Sequence, residues 1–357
     1  MRRLAIVTDA WTPQVNGVVR TLTTCRDLMA ARGYDVAMVS PQDYRSIPCP
    51  TYPEIRLALT TPGALRRRLA ALAPDYVHIA TEGPLGLMAR WACLKMGWSF
   101  TTGFHTRFPE YLAERFPIPI SWTYALLRRF HNAGAHTLAP TRSIVDDLAA
   151  RGFTRLKLWT RGVDRALFHP RPEVAKDLPR PVFLCVGRVA AEKNLPAFLE
   201  LDLPGTKLVV GDGPALSEMK ARFPDAVFMG RREGEALAEA YNSADVFVFP
   251  SRTDTFGLVL LEAIASGLPV AAFPAPGSSD VVGATGAGVL SEDLRAACLG
   301  ALAMPAFDPE TVLRDFTWEA CADIFERSLT RIDGRDNVVA ARQPQRAASG
   351  GWTSAPS

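Results

Sequence analysis

Val182-Phe183-Leu184-Cys185-Val186 runs without a polar residue into Gly187-Arg188-Val189-Ala190-Ala191-Glu192-Lys193-Asn194. A short apolar run rich in β-branched and aromatic types, closed by glycine, reads as a strand buried on both faces. Such a strand belongs to a parallel sheet covered by helices. Working outward, Lys207–Val210, Ala226–Met229, Val246–Phe249 and Pro269–Phe273 repeat the pattern, each followed by Gly or Pro. Toward the N-terminus a second series reads the same way. Its strands are Leu4–Thr8, Val36–Ser40, Ile55–Leu59, Tyr76–Ala80, Phe100–Phe104, His136–Ala139 and Leu156–Trp159. Helical stretches alternate with them at Val18–Arg32, Ala64–Ala73, Leu85–Met96, Ser121–Ala133 and Ser143–Arg151.

Between the series, Asp164–Pro181 carries Pro170, Pro172, Pro179 and Pro181 in a polar setting and reads as a linker. The expected organisation is a first α/β domain over 1–165, a linker over 166–181 and a second α/β domain over 182–307. A helical segment follows over 308–332, since Pro309–Arg331 keeps helical periodicity with no breaker. The Gly/Ser/Pro/Gln/Arg-rich stretch 333–357 reads as a disordered tail. Doubly wound sheets bind ligands outside the carboxyl ends of their strands. One site in a cleft between the domains is therefore expected, with a hinge near 164–181.

The 357 residues are enough for two domains, and 22% charged residues is ordinary globular composition. The net charge of +3 hides an asymmetry. Residues 1–165 hold 22 Lys and Arg against 12 Asp and Glu, whereas 166–357 hold 18 against 25. A basic first half suits an anionic ligand or surface, or is scattered surface arginine. No recognition motif supports nucleic acid as a partner. The six cysteines are widely spaced with no CxxC, which argues against a zinc site and for buried reduced thiols in the cytoplasm. Leu4 to Val7 is too short for a secretory signal, and no apolar stretch approaches the ~20 residues of a membrane span.

Three constellations carry chemistry. Arg188 and Lys193 lie in a loop between strand and helix, where two cations converge on a departing diphosphate. Taken alone, they read as well as surface cations of a βα loop. Next, Ser251-Arg252-Thr253-Asp254-Thr255-Phe256-Gly257-Leu258-Val259-Leu260-Leu261-Glu262 follows another strand. Gly257 permits close backbone approach, and the amides around Thr255, Phe256 and Leu258 lie at a helix start. Asp254 suits sugar hydroxyls and Glu262 a ribose diol, since a carboxylate accepts two hydroxyl hydrogens. The structural alternative makes Asp254 an N-cap and Glu262 a solvated helix residue. Third, His105 follows the strand Phe100–Phe104, a place where histidine is more often structural.

This Asp254–Glu262 spacing resembles the carboxylate-x7-carboxylate signature of the retaining family 4 glycosyltransferases of GT-B fold, with Asp254 in place of the usual Glu. The resemblance covers almost the whole chain to about residue 330. It implies that Arg188 and Lys193 bind the donor diphosphate and that Gly211 and Gly213 form a second glycine loop. Met229 and Arg231 mark the stretch whose backbone meets the base, and Gly17 approaches the donor phosphate. There Asn16 replaces a customary glycine. His105 matches the family's histidine facing the donor sugar. The implied catalytic set is His105, Arg188, Lys193 and Asp254, with no cofactor beyond a UDP- or GDP-sugar and no metal.

The acceptor is read from the first half. Leu65-Arg66-Arg67-Arg68-Leu69 and the stretch Phe116 to His131 place aromatics beside arginines, as an interfacial helix on an anionic bilayer requires. The alternative is that these apolar residues pack on their own sheet. The region around His105-Thr106-Arg107-Phe108-Pro109 also resembles diacylglycerol glycosyltransferases and phosphatidylinositol mannosyltransferases. Transfer of a hexose or hexuronic acid to a membrane lipid with retention is expected, at the inner face of the cell membrane. A GDP-mannose-dependent α-mannosyltransferase on a phosphatidylinositol-type, polysaccharide or soluble acceptor is the alternative. A nucleotide-sugar epimerase and an inactive binding module are weaker rivals, because the carboxylate pair, both cations and His105 are present together. Oligomeric state cannot be read.

Overall fold

The computed structural model describes residues 1–332 apart from Val15, Pro50, Thr51, 111–116, Glu173, Ala175 and Lys176. The expected disordered tail lies outside the described residues. The first sheet takes its strands in the order β2 (Tyr34–Val39), β1 (Arg2–Val7), β5 (Tyr76–Ile79), β6 (Thr101–Gly103), β7 (His136–Ala139) and β8 (Leu156–Leu158). Every neighbouring pair is parallel, with Leu4 set between Val36 and Tyr76. The second sheet runs β11 (Val227–Gly230), β10 (Thr206–Val210), β9 (Val182–Val186), β12 (Val246–Phe249), β13 (Val270–Ala272) and β14 (Gly288–Leu290), again all parallel. Two parallel-sheet α/β domains are the outcome expected from the alternating pattern.

One expected strand belongs elsewhere. β4 (Tyr52–Ala58) pairs antiparallel with β3 (Ser46–Cys49) in a separate two-stranded sheet. Two residues separate them, and a parallel pair needs a crossover of a dozen or more.

Alternation along each central strand supplies two cores. In β1, Leu4 and Ile6 face the helix Gly17–Ala31 through Leu22 and Met29, while Ala5 and Val7 face Leu65, Leu69 and Cys93. In β9, Leu184 and Val186 pack with Tyr241 and Phe247, while Phe183 and Cys185 pack with Phe198 and Cys298. Each fully buried Leu or Phe contributes about 1.5–3 kcal/mol. Within the stretch read as linker, Phe168 is buried in the second core, and Asn242 Oδ1 accepts from the Arg171 amide.

The segment Pro309–Arg331 is not one helix. Thr317 accepts from the Ala320 amide at 3.1 Å and so starts a new helix, Trp318–Ser328, after the short turn Pro309–Val312. That second helix returns to the first domain. Phe325 stacks on Trp159 at 5.1 Å, and Trp159 Nε1 donates to the Cys321 carbonyl. Glu326 collects Arg2, Arg32 and the Tyr34 hydroxyl, each at 3.0 Å. Among the described residues no helix is long and apolar enough to cross a membrane.

In the second sheet the chain leaves β9 toward β10 and β11, then returns to β12 on the other side. The carboxyl ends of β9 and β12 therefore border the crevice of a doubly wound sheet. β1 and β5 border the corresponding crevice in the first sheet.

Candidate active site

The wall built by the second domain comes from the loops after β9 and β12. Asn194, held in the left-handed region at φ 54°, donates from Nδ2 to the Pro250 carbonyl at 3.1 Å. The Ser251 and Thr253 hydroxyls both donate to the Glu192 carbonyl at 3.3 Å. These bonds lock the two loops together and bring Lys193 Nζ to 2.6 Å from Asp254 Oδ1. Arg188 is half-buried in the first loop. Asp254 is not an N-cap: the helix Leu258–Ala265 starts at Gly257, at φ 83°, with no side-chain cap. Its second oxygen, Oδ2, is buried and has no hydrogen-bond partner among the described residues.

Glu262 is not a solvated helix residue either. It is 3% exposed. Its Oε2 accepts from the Tyr241 hydroxyl at 2.9 Å, and its Oε1 pairs with Arg20 of the first domain. Burial raises its pKa, and Arg20 and Tyr241 pull it back. Both oxygens thus already hold protein partners, so a ribose diol would share the carboxylate's remaining lone pairs. Gly211 lies where a Cβ would stand 1.8 Å from the Gly187 carbonyl oxygen, and Gly213 lies against Val189 in the same way. Met229 is partly buried against the second core at the edge strand, and Arg231 is exposed and paired with Glu233. Phe256 is buried against Phe316, which leaves its backbone as its contribution to the loop surface.

The first domain supplies the facing wall. Asn16 accepts from the Val18 and Val19 amides and caps the helix Gly17–Ala31, which gives asparagine a physical role at that position. Gly17 faces Leu258 across the cleft, where an added Cβ would lie 3.5 Å from its Cδ1. His105 follows β6, and its carbonyl accepts from the Thr255 hydroxyl at 2.6 Å. That bond sets His105 beside the Asp254 loop. His105 Nδ1 lies 3.2 Å from Arg161 Nη2, and Nε2 is buried without a hydrogen-bond partner among the described residues. Burial, then Arg161, holds the imidazole well below its usual pKa, so it is neutral near pH 7. Ser143 and Asp280 make a further tie between the domains, with the Ser143 amide 3.2 Å from Asp280 Oδ2.

The geometry thus joins His105 to Thr255 and Lys193 to Asp254, places Glu262 on the Leu258–Ala265 helix, and sets Gly17 of the first domain against Leu258 at that helix's start. Residues 15–167 match the family model Glycosyltransferase Family 4, and residues 180–303 match Glycosyl transferases group 1. The chain belongs to glycosyltransferase family 4. It is 32% identical to a GDP-mannose-dependent alpha-mannosyltransferase of Mycobacterium tuberculosis, over 78% of this chain and 81% of that one. It is 33% identical to a sulfoquinovosyl transferase of Arabidopsis thaliana, over 67% of this chain but half the length of that protein. It is 26% identical to the alpha-monoglucosyldiacylglycerol synthase of Streptococcus pneumoniae, over 92% of this chain and 84% of that one. The fold matches sucrose-phosphate synthase from Thermosynechococcus elongatus at a TM-score of 0.72 and 19% identity, covering 91% of this chain and 98% of that one. The two facing domains are those of the GT-B fold.

Reading the sequence of this glycosyltransferase did not single out Arg161, Arg20, Tyr241 or the Ser143–Asp280 pair. Arg161 and Ser143 follow strand carboxyl ends, which was the available signal. Arg20 sits one helical turn after Gly17, and nothing in its neighbourhood points across the cleft. Asp280 and Tyr241 sit within helices, where sequence spacing does not reveal a partner more than a hundred residues away or on another element.

Proposed function

We propose that this glycosyltransferase moves a hexose or hexuronic acid from a UDP- or GDP-sugar to a lipid hydroxyl such as that of diacylglycerol, with retention, giving an α-glycolipid. The observation that carries this reading is that His105 Nε2 and Asp254 Oδ2 are both buried with no hydrogen-bond partner among the described residues. Burying a polar group without a partner costs about 1–3 kcal/mol. The Thr255–His105 bond joins the two loops that carry these groups, and a donor and an acceptor there suit the hydroxyls of a sugar. Arg188 and Lys193 take the charge that develops on the leaving diphosphate, with no metal in the reading. The nucleotide leaves with the electron pair of the C1–O bond, the acceptor oxygen bonds C1, and its proton passes to the departing phosphate on the same face.

The lipid acceptor rests on the surface of the first domain. In the helix Ile120–His131, Tyr124, Leu127 and Phe130 pack inward, as the structural alternative required. Trp122 is nevertheless 73% exposed, and Leu126 and Arg129 share its face at helical spacing. Leu87, Trp91 and Leu94 form a second exposed stripe on the helix Pro84–Met96, with Arg66 over the Trp91 ring. Arg90 donates to the carbonyls of Arg129 and Phe130, which ties the two helices together. Exposed aromatics with adjacent arginines suit an anionic bilayer surface. Arg115 and Phe116 lie outside the described residues.

The test is a panel of radiolabelled UDP- and GDP-sugars on diacylglycerol-containing anionic vesicles, followed by organic extraction. A labelled lipid that disappears in Lys193→Ala supports the reading. Donor consumption with no label in the organic phase sinks the lipid acceptor. The extent of match to the mannosyltransferase favours a second reading, GDP-mannose transfer to a phosphatidylinositol-type or soluble acceptor, and the same panel separates it.

A further inference from the structure

Arg161 is 3% exposed, and no carboxylate among the described residues pairs with it. Its guanidinium lies over the Trp159 ring with Cζ 4.3 Å from the centroid. Nη1 donates to the carbonyls of Trp159 and Thr160. Nη2 is directed at His105 Nδ1, 3.2 Å away. One ring face, two carbonyls, one imidazole and the Cys321 side chain therefore fix this cation in place.

A guanidinium has five N–H donors and no acceptor, and it stays protonated in proteins. Whatever faces Nη2 must offer a lone pair. His105 Nδ1 is then the acceptor nitrogen, and the ring proton resides on Nε2. On the other side of the ring, a Cβ on Gly103 would stand 2.6 Å from Nε2, so glycine there leaves room for the ring in this orientation.

We propose that Arg161 is a positioning residue that fixes His105 as the Nε2–H tautomer, so that His105 acts on the sugar nucleotide as a hydrogen-bond donor and not as a base. This rests on the reading that His105 faces the donor sugar. It deepens that reading by assigning the sign of the contact: the partner of Nε2 is an oxygen with a lone pair, a hydroxyl or an anionic oxygen of the donor. The other titratable groups near the ring are His78 of β5 and His131, which itself faces Glu82 at 3.0 Å. Across the cleft the charged neighbours are Asp254 and its partner Lys193. Burial and the Arg161 charge keep the ring neutral through the working range.

The test is nitrogen NMR on the full chain labelled with ¹⁵N-histidine, with the His105 signals assigned by their loss in His105→Gln. The expected wild-type result is Nδ1 in the unprotonated range and Nε2 in the protonated range, unchanged from pH 6 to 8. Arg161→Met should release the tautomer, giving mixed Nδ1–H and Nε2–H signals, and lower kcat at least tenfold with a smaller change in donor KM. Arg161→Lys, which keeps a donor, should restore part of both. A wild-type ring protonated on Nδ1 overturns the proposal. So does a folded Arg161→Met variant that keeps the pure Nε2–H tautomer. If Arg161→Met does not fold, the wild-type spectrum still decides. The tautomer is read without turnover, so its outcome is separate from a donor panel that yields no glycoside.

Discussion

Lys193 Nζ and Asp254 Oδ1 stand 2.6 Å apart, each brought to the cleft by a different loop of the second sheet. The pair orients Asp254 so that Oδ1 is neutralised and Oδ2 is left for another donor. Asp254→Asn keeps the shape and removes the charge. We expect kcat to fall about 10²–10³-fold, the range for losing one group that stabilises the transition state. Lys193→Ala should cost as much in rate and also lower stability by about 1–3 kcal/mol, because a partly buried carboxylate loses its partner. Initial rates beside thermal melts check both. Wild-type rates in either variant would remove these residues from the chemistry.

Arg20 and Glu262 belong to different domains, and their ion pair spans the cleft. Removing Arg20 leaves a buried carboxylate with only the Tyr241 hydroxyl. Breaking a buried pair costs about 3–5 kcal/mol, but the Arg20 side chain is 37% exposed, so the loss in Arg20→Met should be well below that range. Glu262→Gln keeps the Tyr241 bond and should raise donor KM about tenfold or more, with a smaller effect on melting. A double-mutant cycle on donor KM reads the coupling between nucleotide and domain closure. Additive effects would mean that the pair is only a structural tie.

Much of this was legible in the sequence because strand ends announce themselves. The runs closing at Val186 and Phe249 placed Lys193 and Asp254 after strand ends, and the structure makes those strands neighbours and joins the two side chains. Periodicity could not show that Thr317 restarts the helix, since a capping threonine breaks no apolar pattern. Nor could it assign faces within Ile120–His131, where Leu126 points out and Leu127 points in. Arg161 was hidden for a different reason. A buried guanidinium satisfied by carbonyls and an imidazole leaves no complementary charge nearby in the sequence.

His78 is fully buried, its Nδ1 2.9 Å from the Thr101 hydroxyl oxygen and its ring edge-on to Trp159 and Phe325. Burial, then Arg161, pushes its pKa down to about 3. Between pH 6.5 and 3 the unfolded chain therefore binds a proton at His78 that the folded chain refuses. The stability contribution is present above pH 6.5 and is lost as pH falls toward 3, at up to about 1.4 kcal/mol per pH unit. In denaturant titrations, His78→Leu should show a shallower fall between pH 6 and 4 than wild type, whatever its stability at pH 7. Parallel curves would exclude His78 as the titrating group. His105 is shifted in the same direction and should leave a residual slope in the variant.

Trp122 and Leu126 touch solvent from one face of their helix, so replacing them should leave the fold intact within about 0.5 kcal/mol. On a bilayer the same residues would lose water. Burying a tryptophan removes about 150–250 Å² from water, and each square ångström contributes about 25 cal/mol. Even partial insertion of the two side chains corresponds to more than tenfold in binding. Trp122→Ser/Leu126→Ser should therefore bind anionic vesicles at least tenfold more weakly in sedimentation, while its melting temperature stays near wild type. Arg129 and the Arg66–Arg68 run supply the electrostatic part, which should weaken as salt rises from 0.1 to 0.5 M because the screening length shrinks below ~10 Å. Neutral vesicles should bind less and show no such salt dependence. If the double variant binds anionic vesicles as wild type does, this face does not meet the membrane. The apolar stripes would then have to be assigned to another partner.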